Sequence, residues 1–426
     1  MKVLVVGSGG REHALCWKLR QSPLIDELYC APGNPGIAQV ADRVPIPSDE
    51  IHQLADFASE LKIDLTVVGS VLPLVLGIAD DFHSRGLAIF GPRQQAAELE
   101  GSRVFAKEFM KRHGIPTAEF EIAHDIDETR RAAKRFGFPV VIKADGLTAG
   151  RGVLIPRNPE ELEADLRAIF EERRFGAAAE RVVVEEYLEG EEVSFTTLCD
   201  GEHVLPIATS KDYKRLQDDD EGPNTGGMGT YSPSGALSAA AAADILDHII
   251  RPTAAALTDE NRSLVGALLA GMMLTADGPR VLAYNVRLGD PEAQALLPRM
   301  EDDLLPILAS GAAGKFETKR IGFRKAAAVC IVLASAGYPG KPVKGETISG
   351  IGKALDRDGI ELFHAGTAIR DGRLVAARGR VLNVCATGPM MHDALKLAYL
   401  AAADIHWPSK ILRHDIGRRL LEQASG

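Results

Sequence analysis

Residues 2–12 read Lys2-Val3-Leu4-Val5-Val6-Gly7-Ser8-Gly9-Gly10-Arg11-Glu12. An apolar, β-branched run enters a glycine turn and leaves as an amphipathic stretch over residues 12–20. That order is strand, tight turn, helix, the opening of a βαβ unit. The glycines let backbone N–H groups approach an anion, and the N-terminus of the following helix favours negative charge. The dinucleotide fingerprint needs a third glycine where Glu12 stands. A nicotinamide dehydrogenase is therefore disfavoured, leaving a phosphate site or a plain ligand-free turn.

Working outward, short apolar runs at residues 28–30, 65–68 and 88–90 alternate with helical patterns at 50–61 and 74–84. The alternation predicts an α/β fold beginning with a doubly wound parallel sheet, whose ligands sit at the carboxyl ends of the strands. The turn Pro32-Gly33-Asn34-Pro35-Gly36 falls on that same edge. The pattern changes near residue 102. A basic helix (104–113) and a second helix (126–136) lead to a strand (140–143), a glycine loop (146–152), a strand (153–155), a helix (160–172) and a strand (182–186). Residues 210–233 read as one long polar loop, a length that is usually functional or disordered. An alanine-rich helix (238–257) and a buried run ending at 281–284 follow. A third region starts near residue 323, with strands at 327–334 and 381–386. The expected division is an N-terminal domain (1–103), a central domain (104–322) with a lid at about 121–187, and a C-terminal α/β domain (323–426).

The chain has 426 residues, 46% apolar and 25% charged, the balance of a globular protein of several domains. No stretch is apolar enough to span a bilayer, and the N-terminus lacks the long apolar region of a signal peptide. The formal net charge of -10, with no basic tract, argues against nucleic acid as partner. Five scattered cysteines without a CxxC pair suggest neither a disulfide framework nor a zinc knuckle and fit a reducing cytoplasm. The histidines lack HExxH spacing, and His13, His113, His203, His364, His392 and His414 read mostly as surface or satisfied side chains.

Several constellations can carry chemistry. In Val141-Ile142-Lys143-Ala144-Asp145-Gly146-Leu147-Thr148-Ala149-Gly150-Arg151-Gly152, a lysine ends a strand before a glycine loop. That lysine, with Lys107 on the preceding helix, can neutralise phosphate oxygens while the loop amides close over them. A solvated lysine beside a hairpin is the competing reading. Glu185-Glu186-Tyr187-Leu188-Glu189-Gly190-Glu191-Glu192 offers backbone for a base edge and carboxylates for ribose hydroxyls, or is a charged surface turn. Asn285-Val286-Arg287-Leu288-Gly289-Asp290 pairs oxygen ligands with an arginine suited to magnesium and a carboxylate or phosphate. Glu221-Gly222-Pro223-Asn224-Thr225-Gly226-Gly227-Met228-Gly229 reads as a loop built around a small ligand.

Taken in order, these segments closely resemble the glycinamide ribonucleotide synthetase family of ATP-grasp ligases. The resemblance rests on VLVVGSGGREHAL, APGNPG, LEGSRVFAKEFMKRHGIPTA, VIKADGLTAGRGV, VEEYLEGEEVSF, GPNTGGMGTYSP, NVRLGDPEAQALLPR, FHAGT, GRVLNV and RHDIG, and covers essentially the whole chain. It implies a ligase that joins glycine to 5-phosphoribosylamine through an acyl phosphate, with ATP and magnesium or manganese. It implies small-molecule partners only, and a cytoplasmic monomer. Lys107, Lys143, Gly150, Arg151 and Gly152 would meet the ATP phosphates. Glu185, Glu186 and Leu188 would hold adenine, and Glu192 the ribose. Gly9, Arg11, Glu12, Asn34 and Gly36 would face phosphoribosylamine. Asp212, Asn224, Gly226, Gly227, Met228, Arg287 and Asp290 would surround glycine and its activated form, with Arg287, Asp290 and Asp212 catalytic and Asn285 a metal ligand.

The sequence departs from that family's pattern at these sites. Ala283 replaces a metal-binding Glu, so a weakened metal site is expected. Gly69-Ser70-Val71 replaces Gly-Pro-Glu on the sugar-phosphate side. Leu269, Arg151, Lys211, Tyr213, Arg378 and Leu412 stand where Tyr, Lys, Gln, His, Gly and Tyr are usual. Two readings follow: a working, divergent ligase, or a paralogue with an altered amine substrate or a nucleotide-binding pseudoenzyme.

Overall fold

The computed structural model describes residues 1–148 and 150–424. Ala149 of the glycine loop and the last two residues, Ser425 and Gly426, lie outside the described residues. The opening strand Lys2–Gly7 takes the centre of a five-stranded, all-parallel sheet. Glu27–Pro32 and Asp42–Arg43 lie on one side of it, and Leu65–Val68 and Ile89–Phe90 on the other. Val3, Leu4, Val5 and Val6 are all fully buried, as expected of a strand covered by helices on both faces. Strand order reverses between Lys2–Gly7 and Leu65–Val68, so the ligand crevice of this sheet opens over Gly7–Gly10 and Gly69–Val71. The helix expected over 74–84 is instead two short ones, Val71–Val75 and Ile78–Ser84. Gly77 breaks them apart with a left-handed φ of 90°, a conformation that costs glycine little.

A four-stranded antiparallel sheet forms a separate layer, in the order Phe120–Ala123, Val182–Glu186, Val140–Ala144, Val153–Leu154. The helices Ile126–Phe136 and Pro159–Leu166 pack on it around its own apolar cluster, which includes Ile142, Leu166 and Val184. Asp125 and Asn158 cap the two helices through the amides of Glu128 and Glu161.

The rest of the molecule is organised by one nine-stranded antiparallel sheet. It runs Gly278–Asn285, Val265–Thr275, Glu191–Asp200, Val204–Asp212, Gly229–Ser232, Ala327–Ser335, Arg380–Gly388, Ile360–His364, with Lys410–Ile411 beside Ala327–Ser335. The stretch 210–233 is thus not a loop throughout. It holds the strand Gly229–Ser232, which joins Val204–Asp212 to Ala327–Ser335, and a small hairpin of Arg215–Gln217 with Glu221–Asn224. Its polar composition hid this. Thr230 and Ser232 are fully buried but satisfied, their hydroxyls donating 2.7 Å bonds to the carbonyls of Lys211 and Thr209.

The parallel sheet is joined to the nine-stranded sheet by a shared apolar core. It gathers Leu15 and Leu19 from the first helix, Leu296 and Leu305 from helices after the Gly289 loop, and Cys330 and Phe363 from the C-terminal strands. Leu296 is 1% exposed, at the centre of this junction. We expect Leu296→Ala to cost about 2–5 kcal/mol and to lower the urea midpoint of unfolding, read by tryptophan fluorescence.

Candidate active site

The strand ends and loops converge on one polar region between the parallel sheet, the lid sheet and the nine-stranded sheet. At the crevice of the parallel sheet, the Glu12 carboxylate accepts a 2.6 Å bond from the Gly9 amide and a 2.6 Å bond from Arg11 Nε. A Cβ on Gly69 would collide with that carboxylate, so Glu12 lies directly across the switch point. Arg11 also reaches the Leu288 carbonyl at 3.2 Å, tying this loop to the Arg287–Asp290 segment. Gly9 approaches the same segment so closely that a Cβ there would stand 3.3 Å from Asp290 Oδ2.

Asn34 and Gly36 lie beside two buried histidines. Asn34 donates to the carbonyls of Ser8 and His364 at 3.0 and 2.7 Å, and the His364 amide donates to His13 Nδ1 at 2.8 Å. Both polar groups of the His364 backbone are thus held by side chains of the N-terminal domain. Burial pushes the imidazoles of His13 and His364 down to about 3 and about 4, so both are neutral at physiological pH. No spacing signal marks this pair, because its members stand 351 residues apart.

The expected phosphate lysines meet around one carboxylate. Lys143 Nζ lies 2.8 Å from Glu185 Oε1, and Lys107 Nζ lies 3.1 Å from Glu185 Oε2, with all three side chains nearly excluded from water. Burial is the main influence on both ammonium groups, pushing Lys107 down to about 8 and lowering Lys143, while Glu185 opposes it. Glu186 caps the Glu119 amide at 2.9 Å, and Leu188 is half-buried in the turn that follows. Glu192 pairs with Lys214, a residue that the sequence reading passed over.

Asp212 lies next in this cluster. Burial and the nearby Glu292 raise its pKa well above the carboxylate range, with Lys214 opposing. Its Oδ1 is buried with no hydrogen-bond partner, and a Cβ on Gly227 would stand 2.7 Å from that oxygen. Arg380 holds the loop from the far side, donating to the carbonyls of Gly226 and Asp290 at 2.7 and 2.9 Å. Arg380 Nη2 also lies 3.3 Å from Asp290 Oδ2. Burial alone would raise the Asp290 pKa, but Arg380 and Arg11 outweigh it and hold the group ionised. Arg287 pairs with Glu100 at 3.0 Å, and Glu100 also accepts the Val286 amide at 2.8 Å. Asn224 is half-buried in the hairpin, whereas Met228 is fully buried and meets its neighbours through the backbone, its amide donating to the Tyr213 carbonyl.

The lid's glycine loop reaches this cluster. Gly150 has φ +80°, and a Cβ there would stand 2.7 Å from the Thr225 carbonyl oxygen. The Gly152 amide donates to Thr148 Oγ1 at 2.9 Å, while Arg151 is exposed.

Comparison with known proteins agrees with this arrangement. Residues 1–100, 101–293 and 328–419 match the N domain, the ATP-grasp domain and the C domain of phosphoribosylglycinamide synthetase. The phosphoribosylamine–glycine ligase of Mesorhizobium japonicum is 46% identical over 417 residues, 98% of each chain. That of Rhizobium meliloti is 45% identical over 419 residues, again 98% of each. The crystal structure of the Thermotoga maritima phosphoribosylamine–glycine ligase superposes with a TM-score of 0.83 at 34% identity, covering 98% of this chain and all of that one.

The chain belongs to the phosphoribosylamine–glycine ligase family.

The ATP-grasp fold implies use of ATP and a divalent cation. The cationic pocket around Lys107 and Lys143 fits a nucleotide's phosphates. A protein-held metal fits poorly. Ala283 offers no ligand, Asn285 Oδ1 already accepts from Arg287 at 3.2 Å, and no cluster of three His, Cys, Asp or Glu able to hold a metal occurs among the described residues.

The Lys107 environment gives a pH test. Its protonated form attracts phosphate and is lost as pH rises through about 8. ADP affinity, measured by calorimetry between about pH 7 and 9.5, should therefore weaken with rising pH, and Lys107→Met should remove most of that dependence.

Proposed function

We propose that this site joins glycine to 5-phosphoribosylamine at the expense of ATP, through glycyl phosphate, in de novo purine biosynthesis. The observation that carries the reading is the unpartnered, buried Asp212 oxygen under Gly227. It is an acceptor enclosed by a loop too tight for a side chain, and it suits a small ammonium group. Binding that ammonium returns Asp212 to its ionised form. Arg287, steadied by Glu100, holds the carboxylate end of the amino acid.

A carboxylate is a poor electrophile until phosphorylated, and phosphoryl transfer depends on positioned cations more than on a protein nucleophile. Lys107 and Lys143 exchange Glu185 for nucleotide phosphates, with Gly150, Arg151 and Gly152 closing above them. Glu185, Glu186 and Leu188 line the adenine side, and Glu192 lies on the ribose side. Gly9, Arg11, Glu12, Asn34 and Gly36 present the phosphoribosylamine from the parallel sheet. Asp290, held ionised by Arg380 and Arg11, stands where that loop meets the glycine loop. It is placed to take the proton that the attacking amine loses. Closure of the lid onto Thr225 and Gly226 keeps water from the acyl phosphate.

A divalent cation, magnesium or manganese, would supply charge neutralisation at the phosphates. With alanine at position 283, we infer that it is held by the nucleotide, since Asn285, the expected strand ligand, would have to give up its bond from Arg287 to reach it. The chain acts as a cytoplasmic monomer on small molecules. Its five buried, unpaired cysteines support a reducing compartment, and none of the described helices is long and apolar enough to cross a membrane.

The reaction is tested by ADP release with ATP, magnesium, glycine and phosphoribosylamine formed in situ. ADP release that requires both glycine and the amine is expected. A chain silent with both has lost or changed the reaction. Ala283→Glu restores a carboxylate on the strand, and we expect it to tighten Mn²⁺ binding to the ADP complex about tenfold, read by electron paramagnetic resonance. Unchanged Mn²⁺ affinity would show that position 283 does not face the ion.

A further inference from the structure

The C-terminal domain reaches the crevice of the parallel sheet through a short chain of hydrogen bonds. The Asn34 side chain donates to the carbonyls of Ser8 and His364, at 3.0 and 2.7 Å. One amide thus ties the first glycine loop to the end of the strand Ile360–His364. Two residues on, the Gly366 carbonyl accepts the amides of Ala377 and Arg378, at 2.7 and 3.1 Å. A Cβ on Gly366 would stand 2.4 Å from the Arg378 Cβ, so these two loops pack without a gap. The backbone of Arg378 is therefore fixed relative to Ser8 by the fold. Its side chain is not committed in the same way. Arg378 is exposed, and among the described residues its guanidinium has no ion pair. Its hydrogen bond is a long one, 3.5 Å from Nη1 to Ser8 Oγ. Ser70, just past the neighbouring strand Leu65–Val68, has a buried hydroxyl with no hydrogen-bond partner. The one carboxylate at the crevice floor, Glu12, is already held by Gly9 and Arg11.

The direction of the crevice says which anion suits this rim. Its inner end is marked by Gly9, where a Cβ would stand 3.3 Å from Asp290 Oδ2. The attacking nitrogen of the amine substrate belongs at that end, beside the acyl phosphate. A phosphorylated pentose carries its phosphate at the end opposite that nitrogen, so the phosphate points away from Asp290 and toward the rim. Arg378 stands there, exposed. Arg380, two residues later, is spent at the centre on Asp290 and on the Gly226 carbonyl. Position 71, where the resemblance expects a carboxylate that would repel a phosphate, holds valine.

We propose that Arg378 is a specificity-determining residue of this chain, which binds the phosphate of the sugar-phosphate amine at the rim of the crevice, together with the hydroxyls of Ser8 and Ser70. A guanidinium meets a phosphate through two parallel N–H bonds. The glycine usual at this position in the family has no side chain to offer. The remodelled rim thus exchanges a carboxylate for a cation, and its discrimination falls on the charge of the substrate rather than on its hydroxyls. This assignment rests on the ligase reading above for the identity of the amine, but the phosphate contact is tested without turnover.

The test is calorimetry on the full chain with ribose 5-phosphate, ribose and inorganic phosphate as probes. Arg378→Gly should weaken ribose 5-phosphate about tenfold, and Arg378→Lys should recover part of the loss. Binding of ribose should be the same in both chains, and inorganic phosphate should bind the wild type more weakly than ribose 5-phosphate does. In turnover, Arg378→Gly should raise the KM for phosphoribosylamine about tenfold and leave kcat and the KM values for ATP and glycine within about twofold. The assignment is overturned by a wild type that does not bind ribose 5-phosphate, by unchanged affinity in Arg378→Gly, or by an equal loss for ribose. Inorganic phosphate bound as tightly as ribose 5-phosphate would also overturn it, marking a site for free anions. Thermal midpoints are measured alongside, and Arg378→Gln replaces the Gly variant if that variant unfolds early. A wild-type chain that binds ribose 5-phosphate through Arg378 but shows no turnover would remove the ligase reading and keep the phosphate contact. Turnover with ribose 5-phosphate binding indifferent to Arg378 would do the reverse.

Discussion

Glu185 between Lys107 and Lys143 is the contact on which the site depends. Two ammonium groups cannot be kept in a water-poor junction unless something neutralises them, since the desolvation of each ion costs several kcal/mol. One carboxylate shared between two lysines does only half of that work. The remainder appears as depressed lysine pKa values. Glu185 belongs to the lid sheet and Lys107 to the helix that precedes it, so the pairing also fixes the lid against the body of the molecule. In the proposed reaction a nucleotide's phosphates would compete for those lysines, and so act on the contact that holds this sheet.

The register of the nine-stranded sheet supplies the other half of the geometry. Asp212 pairs with Thr230, and the neck of the hairpin closes through the Thr225 amide on the Lys214 carbonyl and the Met228 amide on the Tyr213 carbonyl, both 2.8 Å. Asp212 and Lys214 are thereby set beside Gly226 and Gly227. The hairpin tip is held by the C-terminal segment. Arg413, fully buried and stacked 4.7 Å over the Tyr213 ring, pairs with Asp415 at 2.6 Å and Asp220 at 2.9 Å. The Asp219 amide donates to Asp415 at 2.9 Å, and Asp219 and Asp220 both adopt left-handed φ near 60°, at 59° and 57°. Such a turn is uncommon for residues other than glycine, and these ion pairs offset its cost. The end of the chain thus braces the loop that encloses the proposed glycine position.

Much of this was legible from residue patterns. The buried runs at residues 2–6 and 65–68 announced a parallel sheet, and Lys143 before its glycine loop is buried against Glu185 rather than solvated. The fold and the family followed from motifs spread over the whole chain. What stayed hidden has a common cause. Gly229–Ser232 was read as loop because its buried hydroxyls look polar until their carbonyl partners are known. His13, Lys214 and Arg413 carry no local signature. Each draws its meaning from a residue far away in sequence. Met228, inside a ligand-like motif, has a fully buried side chain and meets its neighbours through its backbone.

The departures at positions 283 and 71 can be weighed against the same charge arithmetic. A metal beside the phosphates mainly neutralises charge and orients oxygens, and a carboxylate such as the missing Glu anchors the ion at the cost of adding negative charge nearby. With alanine at 283, the pair Lys107 and Lys143 stands against Glu185: two cations less one carboxylate, an excess of one positive charge. Val71 stands where the resemblance expects a further carboxylate, and Arg378 adds a cation that approaches Ser8 Oγ at 3.5 Å. Both changes shift the centre toward positive charge, in the direction that favours phosphate-bearing substrates. A divergent ligase that relies more on fixed arginine and lysine, and less on a protein-anchored ion, is consistent with that shift. Arg11, Lys107, Lys143, Arg287 and Arg380 each keep a carboxylate partner in that centre, so its fixed cations are held in place by the fold itself.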